Sequence, residues 1–351
     1  MVSDRNVNAG QCYLEVEKIC SKPGILYMRI SVLIPVYNGM PFIVEAVESV
    51  LSQNFDDWEL IVSDNGSTDD TKAYLSSLKD VRIRIYEQPE NLGIMGNLNF
   101  LLTQANAPIA KILGHDDRLL PGCLEKTVLF MEERPDCAVS RCWASGDSVR
   151  YQKGGNLEWE GMLPSHLDAE ASVLAFATFG NLIGNICRAA CRPQMVLQAG
   201  GFDQEYPAAG DYEGWLRVAQ RFGLFFQNEE LVFERTHEFQ NSNTQNVKNE
   251  VYLQLNRILE RLALEVDPGV LNILRRHWII HFFSPRAPRF IRQVFVGKFA
   301  LAISIWKNLP LNISAFSCVA AYPLVKWKIP QARSTTVYLF DEIIKKNNIG
   351  K

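Results

Sequence analysis

Residues 108–121 read PIAKILGHDDRLLP. The apolar run Pro108–Leu113 has the length of a short buried strand, and it delivers two adjacent carboxylates, Asp116 and Asp117, to that strand's C-terminal end. In an open α/β sheet, ligands bind at that edge. Carboxylates on a loop are hard oxygen ligands of the kind Mg²⁺ or Mn²⁺ takes, shared as a rule with a substrate's phosphates. An acidic pair there is equally ordinary turn chemistry, since Asp is common in turns. The two readings are separated by what surrounds the segment.

Upstream, ISVLIPV at 30–36 is a β-branched run and hence a buried strand, turned by Asn38-Gly39. Phe42, Ile43, Ala46, Val47, Val50 and Leu51 then recur at helical spacing. Trp58–Val62 reads as a second strand, and Ser67-Thr68-Asp69-Asp70 supplies capping residues for a helix to about Leu78. Val81–Tyr86 alternates like a strand, and Asn91-Leu92-Gly93 opens a helix over Leu98, Leu101 and Leu102. Downstream, Ala138–Trp143 is a strand, 151–167 a Gly-rich loop over the site, and Leu174–Phe179, Gln194–Ala199 and Asp211–Phe222 are helices. Leu224–Asn228 and Leu231–Glu234 read as two short strands. Strand–helix alternation with short connections predicts a doubly wound, mostly parallel α/β sheet over 29–245. Residues 1–28 read as a flexible extension without a secretory signal, and 246–351 as a helical, basic region.

The chain has 351 residues and a net charge of −3, unevenly spread. From Arg275 to Lys351 there are 13 basic residues against Asp341 and Glu342, so that segment carries +11 and the remainder −14. A basic tail on an acidic body points to an anionic partner. The longest uncharged stretch in the tail, Asn308–Val325, is 18 residues long and contains two prolines. It is compatible with an interfacial segment on an anionic leaflet, with helical packing on the main domain, or with a span at the lower length limit. The eight cysteines form no C-x-x-C pair and read as reduced, mostly buried thiols of a cytoplasmic protein. No G-x-G-x-x-G follows the first strand, which sets aside a dinucleotide-dependent oxidoreductase.

The ordered set ISVLIPVYNG, ELIVSDNGSTDDT, ENLGIMGNLN, LGHDDRLLP, GGFDQEYPAAGDYEGWLRV and ERTHEFQNS resembles the family 2 glycosyltransferases. The resemblance implies the GT-A fold and an inverting, nucleotide-sugar-dependent transfer. It places Pro35, Val36 and Tyr37 at the base and ribose, and Asp64 where a carboxylate accepts from a uracil ring, with Asn65 where a second Asp is common. Asn91 falls in the N-x-G segment, either as a helix cap or in contact with the donor. The metal motif Asp-x-Asp becomes Gly114-His115-Asp116, with Asp116 as metal ligand and Asp117 orienting the loop or a metal-bound water. His115 either stands in for the lost carboxylate or is a solvent-facing loop histidine. Asp211 matches the catalytic base, with Glu213 as fallback; a routine helix cap is the other reading. His237 matches the late histidine that completes the metal site, with Asn241 and Ser242 following. Three positions depart from the pattern: Gly114, Leu98 in place of an arginine, and Gly210 in place of a glutamate.

The resemblance thus implies transfer from a nucleotide-diphospho-sugar, a UDP-sugar first, to a glycan or lipid-linked acceptor hydroxyl, with Mg²⁺ or Mn²⁺ as cofactor. An anionic membrane surface is the expected further partner and nucleic acid is not. The rival expectation is a catalytically degenerate nucleotide-sugar-binding or scaffold protein, for which the three departures are the argument.

Overall fold

The computed structural model describes residues 28–146, 162–237, 245–283, 321 and 330–347. The expectations for residues 1–27, most of the 151–167 loop, Asn241, Ser242 and, apart from Ala321, the stretch Asn308–Val325 lie outside the described residues.

The chain begins with β1 (Ile30–Val36), α1 (Phe42–Leu51), β2 (Trp58–Asp64), α2 (Thr71–Ser77), β3 (Ile83–Glu87), α3 (Gly93–Gln104) and β4 (Ile109–Ile112). β5 (Arg118–Leu119), α4 (Cys123–Glu132), β6 (Val139–Gly146), β7 (His166–Leu167) and α5 (Ala169–Phe179) follow. A 3₁₀ turn at Ile186–Arg188 leads into β8 (Ala189–Cys191), α6 (Pro193–Gln198), α7 (Gly210–Phe222) and β9 (Leu224–Glu234). The last helices are α8 (Gln245–Glu265), α9 (Pro268–Trp278) with a π turn over Ile279–Phe283, and α10 (Pro330–Asn347).

The nine strands form one sheet in the order β3-β2-β1-β4-β8-β6-β9-β5, with β7 also on β9. β3, β2, β1 and β4 are parallel, as crossover helices require. β8 runs antiparallel to both β4 and β6, while β6 and β9 are parallel. The pleat of β1 sorts its side chains to two cores. Ile30, Val32, Ile34 and Val36 pack with α1 and α4; Leu33 packs with Leu98, Leu101 and Leu102 of α3 on the other face.

The segments expected as two strands, Leu224–Asn228 and Leu231–Glu234, are one eleven-residue strand. Its polar middle misled the reading: register shifts against β6 between Cys142 and Ala144 absorb that stretch without ending the strand. The end of the expected loop, His166–Leu167, is a strand on the same β9. The five described cysteines, Cys123, Cys137, Cys142, Cys187 and Cys191, are free and buried.

The C-terminal helices extend the core rather than hanging from it. Ile258, Leu259 and Leu262 of α8, Leu274 and Trp278 of α9, and Leu339 and Ile343 of α10 join the α3–α5–α7 cluster. The Trp278 indole donates to Ala177 O at 2.7 Å, and Asn347 donates to His166 O and accepts from Asp168 N. Among the described residues no helix is long and apolar enough to cross a membrane.

Candidate active site

The parallel strands β1, β2 and β4 end side by side, with Val36 opposite Asp64 and Leu113 N donating to Leu33 O. The chain leaving each strand builds one part of the site.

Beyond β1, Tyr37 is 44% exposed, and the next three residues are laced to the loop after β2. Asn38 N donates to Ser67 Oγ, Gly39 N to Thr71 Oγ1 and Met40 N to Asp69 Oδ2. This leaves the Tyr37 ring standing on a rigid rim. Val36 is different: its side chain is core and its carbonyl already accepts from Asn65 N.

Asp64 is fully buried at the end of β2. Its Oδ1 accepts from Ser67 N at 3.0 Å, and its Oδ2 has no hydrogen-bond partner. A buried carboxylate oxygen without a donor is costly, and a bound group offering an N–H would satisfy it. Asn65 and Asn91 hold the wall instead. Asn65 Nδ2 donates to Asn91 Oδ1 and Gly93 O, its Oδ1 accepts from Leu92 N, and Asn91 Oδ1 also accepts from Gly93 N. These amides pin the start of α3 against the end of β2.

After β4 the chain turns through Gly114–Asp117, with Asp117 N donating to Gly114 O. Asp117 is buried, and its two oxygens accept from Arg235 N at 3.0 Å and Asn185 Nδ2 at 3.2 Å. Burial, and then the neighbouring Asp116, push its carboxyl up to about 7. Asp117 thus ties the loop to Arg235 and Asn185. His115 is half-buried. Its ring packs beside Gly39 and bonds the Pro35 backbone, and burial lowers its pKa.

Asp116 meets His237 across the sheet edge, Oδ2 to Nε2, at 3.1 Å. The His237 ring lies 4.5 Å from that of Phe42, and Arg235 beside it donates to Asp116 O and to Glu45. Among the described residues no cluster of three or more such ligands occurs, so these two would hold an ion together with substrate oxygens or water. They fit one: donor atoms 3.1 Å apart match the ~3 Å between adjacent ligands of an octahedral ion with ~2.1 Å bonds.

Asp211 sits inside the first turn of α7, two residues after the N-cap position at Ala209. It borders an open pocket of about 260 Å³ lined mainly by Gly180, Asn181, Ala208, Tyr212, Val251 and Leu255. Burial pushes its carboxyl up to about 6, against the pull of the nearby backbone N–H groups and Asn181. Glu213, the fallback base, is a structural anion. It is buried and bound to Arg217 at 2.8 Å and to Arg261 at 2.6 Å.

Two residues escaped the sequence reading. Asn181 Nδ2 donates to Asp211 Oδ2 at 2.9 Å, and Asn185 donates to Asp117. The only signal was the repeated Gly-Asn at 180–181 and 184–185, which looks like turn chemistry.

Residues 31–184 match the model of glycosyl transferase family 2. The chain is 26% identical over 284 residues to an uncharacterized glycosyltransferase of Rickettsia typhi, covering 79% of this chain and 84% of the relative. It is 38% identical over 135 residues to GalNAc(5)-diNAcBac-PP-undecaprenol beta-1,3-glucosyltransferase of Campylobacter jejuni, 38% of this chain and 41% of that one. Its fold is shared with S. aureus TarS 1-349 solved with UDP-GlcNAc, at TM-score 0.59, 16% identity and 92% and 93% coverage. It is shared also with mannosyltransferase PcManGT of Pyrobaculum calidifontis solved with GDP-Man and Mn²⁺, at TM-score 0.55, 16% identity and 98% and 95% coverage. The strand-end site and the GT-A architecture agree with the match of residues 31–184 to glycosyl transferase family 2, and together they support a family 2 glycosyltransferase.

Proposed function

We propose that this protein is an inverting glycosyltransferase that moves a sugar from a UDP-sugar to a hydroxyl of a glycan or lipid-linked acceptor. The observation that carries the reading is Asp211, a carboxylate at the edge of a pocket, raised to about 6 and without an ion-pair partner among the described residues. A base of that strength is about nine-tenths ionised at pH 7 yet still accepts a proton readily in the transition state. Asp64 supports uracil, whose ring N–H would satisfy the unpartnered Oδ2. Tyr37 offers an exposed ring for the base to lie against.

In this mechanism the acceptor oxygen attacks the anomeric carbon as its proton passes to Asp211. The bond from that carbon to the diphosphate breaks, and the nucleoside diphosphate leaves with the electron pair. One displacement inverts the configuration and needs no covalent enzyme intermediate. General-base assistance of this kind contributes ~10²–10⁴ in rate. A divalent ion held by Asp116 and His237 would supply Lewis-acid stabilisation of the charge developing on the diphosphate. The Asp117 bonds to Arg235 and Asn185 keep that loop in place, and the Asn65–Asn91 clasp does the same for the donor wall. The Campylobacter jejuni relative is named for an undecaprenol-linked acceptor, and the basic tail suits such a substrate at the cytoplasmic face of a membrane.

The test is release of nucleoside diphosphate from UDP-, GDP- and dTDP-sugars with Mg²⁺ or Mn²⁺, alongside Asp211→Asn and Asp116→Ala. Turnover of a UDP-sugar that both substitutions abolish is expected. Metal-independent turnover, or full activity in Asp211→Asn, overturns the reading.

A further inference from the structure

The base does not stand alone in its pocket. The segment leaving α5 reads Gly180-Asn181-Leu182-Ile183-Gly184-Asn185, and both glycines have positive φ, 87° and 74°. Those conformations suit Gly, and they fold the segment into a tight turn. Asn181 is wired on both ends of its amide. Nδ2 donates to Asp211 Oδ2 at 2.9 Å and to Gly184 O at 3.2 Å, and Oδ1 accepts from Ile183 N at 3.2 Å. Flipping the amide would set its oxygen against two acceptors, so the donor orientation toward Asp211 is fixed by the turn itself.

The far end of the turn is tied just as firmly. Asn185 Oδ1 accepts from Cys187 N and its Nδ2 donates to Asp117 Oδ2. Three residues later Arg188 meets Glu234, both buried, with Nη2 donating to Oε2 at 2.8 Å. Glu234 ends β9 and precedes Arg235, whose N–H holds Asp117. The turn therefore touches Asp211 at one end and, at the other, the loop that presents Asp116.

We propose that Asn181 is the positioning residue of Asp211, holding Oδ2 so that Oδ1 faces the acceptor, within a turn that fixes the base relative to the Asp116–Asp117 loop. The proposal rests on Asp211 being the base. The backbone N–H groups of Tyr212 and of Asp211 itself also favour the ionised carboxylate, and by more than Asn181 does, but no neighbouring charge adds to them. Tyr212 donates its hydroxyl to Phe176 O, and Glu213 is neutralised by Arg217 and Arg261. On α8, Gln254 is occupied with Ala208 N, Ala209 N and Glu250, and the α8 residues lining the pocket, Val251 and Leu255, are apolar. Among the described side chains, Asn181 is the one whose hydrogen bond favours the ionised form of Asp211.

The experiment compares wild type, Asn181→Ala and the isosteric Asn181→Asp in the full chain. It reads the pH profile of kcat/KM for donor turnover, the Kd of UDP, and the Asp211 carboxyl titration by ¹³C NMR, assigned through Asp211→Asn. A lost hydrogen bond to a charged group moves the acid limb upward by about one to two units in Asn181→Ala. The shift is larger in Asn181→Asp, while UDP affinity stays within twofold. Activity lost at pH 6 is largely recovered above pH 8. A merely structural role would lower activity at every pH without moving the limb. An unmoved limb and an unmoved Asp211 titration overturn the proposal. Full activity in Asp211→Asn overturns the base assignment instead, and the NMR titration still reads the hydrogen bond in that case.

Discussion

Asp211→Asn should make the protein more stable as it makes it inactive. The folded carboxyl titrates at about 6 and an aspartate in the unfolded chain at 3.8. A folded pKa above the unfolded one means that ionisation disfavours the fold. The native state keeps its full stability below pH 3.8 and has lost the difference once pH has risen through 6. The shift of about two units converts at 1.36 kcal/mol each, so ionising Asp211 costs at most about 3 kcal/mol. Asparagine removes that cost and keeps an oxygen to accept from Asn181. Urea unfolding at pH 8 should show a gain approaching about 3 kcal/mol, falling to about 1 kcal/mol at pH 4.5, where most of the native carboxyl is already protonated. Turnover should fall by ~10²–10⁴ in the same variant. Equal or lower stability of Asp211→Asn at pH 8 would refute the argument that burial strains this carboxylate.

Asp64→Asn should weaken UDP binding roughly 10- to 150-fold, the worth of a hydrogen bond to a charged acceptor, and leave CDP, which lacks the ring N–H, nearly unchanged in calorimetry. Equal losses for both nucleotides would argue against base recognition by Oδ2. Arg188→Met should cost about 3–5 kcal/mol in thermal unfolding, because the buried Glu234 loses its guanidinium, and adding Glu234→Gln should restore most of it. Lys111→Met should be neutral or stabilising. The buried ammonium reaches Cys142 Sγ at 3.6 Å, while burial pushes the nearby Cys123 thiol up to about 12 and raises the Cys187 thiol well above its ordinary value, so both favour the uncharged form. A loss above ~2 kcal/mol would show that Lys111 belongs to a polar network after all.

The fold's first half was legible because each element there carries its own period. Ile30–Val36 is apolar at every position but Ser31, and Phe42–Leu51 repeats at 3.6 residues, so strand and helix declare themselves without tertiary information. The second half is built from pieces too short to have a period. β5 is two residues and β8 three, held by partners far along the chain. The site divides in the same way. Asp64, Asp116, Asp211 and His237 stood out as candidates because they sit in recognisable segments at strand or helix ends. The half-burial of His115 depends on Pro35 and Gly39, and the neutralisation of Glu213 on Arg261, 48 residues away. Asn181 was silent because an amide between glycines looks the same whether it closes a turn or holds a base.

The three departures from the family pattern are the substance of the degenerate-enzyme reading, and each has a packing cause. Leu98 lies within the cluster beneath α3, where an arginine would bury its charge against Leu33 and Leu101. A Cβ on Gly210 would come 2.8 Å from Met95 Cγ and Sδ, so a glutamate there would displace a side chain that closes the same core. A Cβ on Gly114 would lie 2.9 Å from both Asp116 Oδ1 and Asp117 Oδ2, pressing on the carboxylate that meets His237 and on the one that holds Arg235 and Asn185. A side chain at 114 would therefore require the carboxylates of the next two residues to shift. Decay of function would remove groups and leave their partners exposed or unpaired. Here the neighbours have closed over the missing groups, while Asp211 keeps a pocket and an amide donor that a packing role alone would not require.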